Sequence, residues 1–563
     1  MSPILYRSAR PVIIAVLIGA SACSLPGRFM RGYATAEASG TDVLDRGGIM
    51  EEATEPHRGQ VRFVFDDFGS LTTDELESYA IPWKLAATSL ALGREEAGRG
   101  ELSQSRMRAV LREYGFLTPT RIANWAGPQP HLDRPLGLVG GTARRGFPGV
   151  EIEIANVGCA TCHAGPVYGA DGRPTGEAWL GLPNPSVDLT SYVADVTTSL
   201  ARDLDRPDVL LEAVTRAFPE TSARELSTLR KHVIPRAREQ LAERMSQYGG
   251  LLPFDNGGAG LMNGVGSIRF LIGLIHQDVR STEVAYTSPP DLTGTTLRRT
   301  LLIDGVYAAP GSSRYGGFRP EDVTSEHLDD LAGVTSIFIA GTQGISPADS
   351  RKAIPEVREV MAFINELGTP AFPGVVDPEL AREGGEVYQG HCASCHGTYR
   401  EIDGRQTLVE HANRFVPQDR MRTDSTRWTV ADSLSLRLIQ AIGYGELIEP
   451  VGEAGYIAPD LSGVWATAPY LHNGSVPTLW HLLYPDARPE RFWVGGHKLD
   501  LDLVGIAGFA AGDGTWCYPA DYRPWSRPTL FDTRTPGRSN EGHGFYDLDD
   551  RQRLAVLEYM KTL

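Results

Sequence analysis

Two short stretches constrain this chain more than anything else in it: Cys159-Ala160-Thr161-Cys162-His163 and Cys392-Ala393-Ser394-Cys395-His396. Two thiols three positions apart on a helical turn can each add to a haem vinyl group, and the adjacent histidine then ligates the iron. One such motif alone could be a redox dithiol or half a zinc site. Two of them, with no further CxxC pair to complete a zinc site, predict two covalently bound haem c groups. His163 and His396 are the expected proximal ligands.

The N-terminus points to the same compartment as the motifs. Arg7 and Arg10 precede the apolar run Pro11 to Ala20, which is too short to span a bilayer and has the layout of an export signal. Ser21-Ala22-Cys23 ends it and resembles the bacterial lipobox, with Ala20 where leucine is more usual. Cys23 is thus the expected lipidation site, with plain secretion after cleavage beyond Ala22 as the alternative, and Ser24 rather than Asp after it favours the outer membrane. The six cysteines then divide into Cys23, the four of the motifs, and Cys517, expected as a buried thiol. No pair is left for a disulfide within the chain.

The net charge of −16 excludes nucleic acid as a partner, because phosphate binding needs clustered Lys and Arg. Residues 1–23 read as the signal and 24–56 as a tether. A first haem domain with a helical insertion is expected over 57–370, and a second, cytochrome c-like domain over 371–563. Apolar spacing predicts helices near 73–92 and 103–115, and a run from 206 to 248 divided by Pro219 and Pro235. Gly368-Thr369-Pro370 and Pro373-Gly374 mark the boundary after a helix over 354–367. Asp377-Pro378-Glu379 caps the helix that enters the second motif, and Leu554, Leu557 and Met560 share one face of the last helix. Residues 485–545 read as an elaborated loop region, and no internal repeat is evident beyond the motifs. The expected class is mainly α, with two haem domains, long irregular loops and insertions.

Downstream of the second motif, Ala458-Pro459-Asp460-Leu461-Ser462-Gly463-Val464-Trp465 leads into Ala468-Pro469-Tyr470-Leu471-His472-Asn473-Gly474. This resembles the signature of the bacterial di-haem cytochrome c peroxidase superfamily. Gly181-Leu182-Pro183-Asn184, Trp465 and Pro536-Gly537-Arg538-Ser539-Asn540-Glu541-Gly542-His543 resemble its haem rubber-oxygenase branch most closely. The likeness covers roughly residues 150 to 563. It implies that His543 is the distal ligand of the second haem, with Tyr470 and His472 as rivals, and by family alone a calcium ion. Pro289-Pro290-Asp291-Leu292-Thr293-Gly294 resembles a segment that in relatives carries a tryptophan near Thr293. Its absence here puts radical chemistry on a protein substrate in doubt, with Phe254, Phe270 or Tyr286 as the available aromatics.

Three functions fit these features. The first is an oxidoreductase whose haem one meets hydrogen peroxide or oxygen while haem two relays electrons from a donor, or during attack on an organic substrate. The second is a non-catalytic electron carrier with both haems closed. The third is a structural or sensory haem lipoprotein. The sequence favours the first by asymmetry: no histidine follows His163 until His232, whereas His396 has His472 and His543 in its own domain.

Overall fold

The computed structural model describes residues 53–70, 81–98, 100–144, 151–248, 254–271, 285–430 and 439–563. Cys23, the export signal and most of the stretch read as a tether lie outside them. Helices dominate, and the sheets are small, of two to four strands each. No helix among the described residues is long and apolar enough to cross a membrane.

Two helix pairs frame the two motifs, and each crosses at a glycine. Helix Glu55–Phe65 lies on Ile354–Asn365, where a β-carbon on Gly59 would come within 1.8 Å of the Glu359 carbonyl oxygen. Arg58 Nε fixes the crossing with Glu359 Oε1 at 2.7 Å. In the second half, Pro378–His391 lies on Asp550–Met560, and a β-carbon on Gly384 would come within 1.9 Å of the Ala555 carbonyl oxygen. Asp377 caps the first helix of that pair through the Glu379 and Leu380 N–H groups, and an Asp549–Gln552 capping box starts the other. Gly384→Ala is expected to cost about 1–3 kcal/mol by overpacking against backbone that cannot yield. Denaturant unfolding of this variant beside Gly390→Ala, where a β-carbon meets nothing within 4 Å, measures it.

The remaining expectations meet the structure unevenly. Of the run 73–92, residues 71–80 lie outside the description and Trp83–Glu96 is helical; 103–115 becomes Gln104–Glu113, capped by Ser103. Pro219 falls between Pro207–Ala217 and Ala223–Thr228, as its missing N–H requires. Pro235 does not divide the chain. The backbone widens into a π turn over Leu229–Val233, the Ile234 N–H reaches back to Leu229, and the helix continues over Ile234–Tyr248. That widening makes room for a proline whose ring would clash in a regular helix.

Leu557 and Met560 are buried, but Leu554 is 45% exposed. The crossing centres on Ala555 beside Gly384, and a neighbouring residue points about 100° away. Cys517 is half-buried rather than buried, on the two-residue strand Trp516–Cys517. Within 485–545, that strand joins Phe509–Ala510, Arg491–Val494 and Thr529–Asp532 in a four-stranded sheet. Strands of two to four residues are too short to show alternation.

Candidate functional site

Each CxxCH turn is held by backbone that approaches it closely. In the first, the Thr161 hydroxyl donates to the Gly137 carbonyl at 2.7 Å, and Gly137 has φ 83 with no room for a side chain against Thr161 N. Gly181-Leu182-Pro183-Asn184 clamps the other side: Gly181 N donates to the His163 carbonyl and Asn184 N to that of Cys162, both at 2.8 Å. In the second, Tyr388 is fully buried and its hydroxyl donates to the Gly397 carbonyl at 3.0 Å.

The two histidines are oriented alike. His163 Nδ1 donates to the Pro290 carbonyl at 3.1 Å, and His396 Nδ1 to the Pro459 carbonyl at 2.7 Å. A carbonyl can only accept, so each ring carries its proton on Nδ1 and leaves Nε2 with a free lone pair. Burial pushes His163 down to about 4 and lowers His396 as well, despite the bond to each carbonyl. Both are neutral near pH 7, the form that ligates a metal.

Those two prolines belong to a repeat that sequence reading missed. Pro290-Asp291-Leu292-Thr293-Gly294 and Pro459-Asp460-Leu461-Ser462-Gly463 are equivalent, and the equivalence continues at constant spacing. Gly294 and Gly463 are both left-handed, with φ 71 and 66, and each opens a 3₁₀ turn, Thr295–Leu297 and Val464–Ala466. Leu302 and Leu471 share φ 67 and 66, and Gly305 and Gly474 share φ 65 and 64. Leu301 N bonds the Tyr307 carbonyl as Tyr470 N bonds that of Val476.

Where the copies differ, they differ in chemistry. Leu301 and Ile303 stand in the first copy where Tyr470 and His472 stand in the second. Asp304, paired with Arg427 at 3.0 Å and almost fully buried, stands where Asn473 does.

Both motifs open into one cavity of about 760 Å³. From the first 370 residues its wall takes many aliphatic side chains, among them Leu189, Val193, Val196, Leu200, Leu204 and Leu241. His163 is the sole histidine among the described residues that this half contributes; His276 lies outside them. Burial, with Asp460 adding to it, pushes the Asp291 carboxyl up to about 7.

Across from His396 stands His543, its ring centre 6.0 Å away at an interplanar angle of 71°. Two imidazoles on opposite sides of one metal, each bonded at about 2 Å, have ring centres about 6 Å apart. Burial first, and then the neighbouring His396 and Arg488, push His543 down to about 3. Its Nδ1 is buried without a hydrogen-bond partner.

The loop that carries His543 is braced by residues the sequence did not single out. Arg488 donates to the carbonyls of Asn540, Gly542 and His543 at 2.5, 2.8 and 3.1 Å. Asn473 Nδ2 donates to those of Gly537 and Ser539, and Ser539 N donates to Asp424 Oδ2.

The rivals of His543 are engaged elsewhere. The Tyr470 hydroxyl donates to the Val504 carbonyl at 3.3 Å. His472 stacks on Tyr456 at 4.5 Å, with its Nε2 3.3 Å from that hydroxyl. Of the aromatics weighed against the missing tryptophan, Tyr286 bonds Asp255 and lies beneath Arg538, and Phe254 lines the cavity. The Phe270 side chain lies outside the description. Among the described residues no three His, Cys, Asp or Glu side chains gather as a metal site, so calcium finds no ligand cluster there. A haem iron needs none, since it takes at most two protein ligands.

A family model described as RoxA-like, cytochrome c-like matches residues 455–494, which include the second copy of the repeat and Arg488. Two uncharacterized proteins of Sinorhizobium fredii (strain NBRC 101917 / NGR234) are similar over part of their length. The protein y4iM is 32% identical over 213 residues, covering 33% of this chain and 45% of that protein. The protein y4iJ is 38% identical over 261 residues, covering 35% of this chain and 41% of that protein. The chain thus spans less than half the length of the curated relatives it matches. The short family match supports distant kinship to RoxA-like, cytochrome c-like proteins, and the two relatives are themselves uncharacterized.

Proposed function

We propose that this chain is an exported di-haem c-type cytochrome acting as a haem-based oxidoreductase, of peroxidase or oxygenase type. Cys159, Cys162 and His163 would hold haem one, and Cys392, Cys395, His396 and His543 haem two. The residues fit this use: thiols at the attachment spacing, histidines turned by a carbonyl to free Nε2, and one cavity joining both motifs. When bound, a haem supplies an iron that exchanges electrons and, where one axial position is open, takes an oxygen or peroxide ligand.

The observation that carries the division of labour is the asymmetry between histidines. His396 faces His543 at 6.0 Å, whereas His163 is met by no second cavity histidine from its own half among the described residues. His396 and His543 together would hold one iron from both sides and suit it to relaying electrons. His163, turned by Pro290, would hold the other from one side, which suits that centre to hydrogen peroxide or oxygen. Leu189, Val193, Val196, Leu200 and Leu204 line the same cavity and favour an apolar organic substrate over a polar one. Cys23 would anchor the exported chain by lipid on the periplasmic side of the outer membrane.

Titration of the matured protein with carbon monoxide or cyanide tests this reading. One equivalent is expected to bind per two haems. Binding of none makes the chain an electron carrier, and binding of two removes the relay role of the second centre.

A further inference from the structure

The two Pro-Asp-Leu turns do more than repeat one another; they interlock. Asp291 Oδ1 accepts the Thr293 N–H at 2.6 Å, and Asp460 Oδ1 accepts the Ser462 N–H at 3.1 Å. Each carboxylate therefore closes the turn whose proline carbonyl holds a motif histidine. The second oxygens cross over. A β-carbon on Gly294 would lie 2.7 Å from Asp460 Oδ2, and one on Gly463 would lie 3.9 Å from Asp291 Oδ2. Glycine at 294 is thus what lets Asp460 rest against the first copy's backbone, besides suiting its left-handed φ.

Asp460 also acts on the buried Arg298 of the first copy, where the second copy has Thr467. Asp291 Oδ2 has no hydrogen-bond partner, and both carboxylates border the cavity that the motifs share.

We infer that Asp291 and Asp460 are positioning residues that couple the two histidine centres, each aiming a proline carbonyl at its own histidine while laying its charge against the other's turn. A carbonyl on Nδ1–H makes an imidazole a stronger donor to iron. Burial raises both carboxyls, so the charge is fully present only in alkaline solution; there it stabilises the ferric state of whatever centre feels it, and in a water-poor interior it reaches both. The coupling rests on the di-haem reading above.

Spectroelectrochemistry of the matured protein at pH 9, above the raised Asp291 carboxyl, resolves one midpoint potential per haem and tests it. Asp460→Asn keeps an acceptor for the Ser462 N–H and removes the charge. Both potentials are expected to rise, that of the His163 centre included, and Asp291→Asn is expected to move the two in the same sense. Two variants guard against one failing to fold. A rise confined to the centre on the variant's own side, or no change at either, overturns the coupling. A chain that carries no haem overturns the di-haem reading and the coupling with it, and haem content tells the two failures apart.

Discussion

Cys159→Ala with Cys162→Ala is expected to leave a protein carrying one haem instead of two, and Cys392→Ala with Cys395→Ala to remove the other one. The argument begins with bonds: without the thiols the porphyrin has no covalent tie, and one or two histidine bonds alone must retain it. It continues with packing. The cavity measures about 760 Å³, and among its wall are long aliphatic runs. At about 24 cal/mol per Å³, leaving half of it unfilled costs on the order of 10 kcal/mol. A whole domain is stable by only about 5–15 kcal/mol. Each double variant is therefore expected to melt far below the wild type as well as to lose one haem mass. Intact-protein mass spectrometry counts the haems, and circular dichroism on heating follows the stability. Full haem content after either double substitution refutes the attachment sites.

What the sequence reveals here follows the range of the interaction concerned. The CxxCH turns are local: five residues define them, and the structure only adds what grips them. The cap at Asp377 and the break at Pro219 are local too, and both stand where expected. Pro235 misled because a proline's effect depends on whether the turn before it can widen, which backbone neighbours decide.

The repeat around Pro290 and Pro459 was legible in principle, since Pro-Asp-Leu-Thr-Gly and Pro-Asp-Leu-Ser-Gly both stand in the sequence. It escaped notice because beyond the turn the copies share backbone conformation more than residue type. Leu302 and Leu471 share a left-handed φ, while Ile303 and His472 share nothing but position. Arg488 could not be found at all by pattern. Its work is to hold three carbonyls of a loop distant in the chain, and only the fold brings them together.

His543→Ala is expected to change the spin state of the second centre while leaving the first nearly untouched. An imidazole on each side gives a closed, low-spin iron that takes no outside ligand. The 6.0 Å between the His396 and His543 ring centres suits that arrangement, and Tyr470 and His472 are tied to Val504 and Tyr456. Removing the His543 ring opens one face of the second centre, which then becomes high spin or takes water. Arg488 still braces the loop through backbone carbonyls, so the fold around the site is expected to persist. His163→Ala should do the reverse: peroxide or oxygen reactivity is lost while the second centre stays low spin. Electron paramagnetic resonance and absorption spectra of the oxidised and half-reduced proteins separate these outcomes. A second centre whose spectrum is unchanged in His543→Ala gives the distal place to another side chain. A wild type with two low-spin haems in every redox state, neither binding carbon monoxide or cyanide, leaves electron transfer as the function.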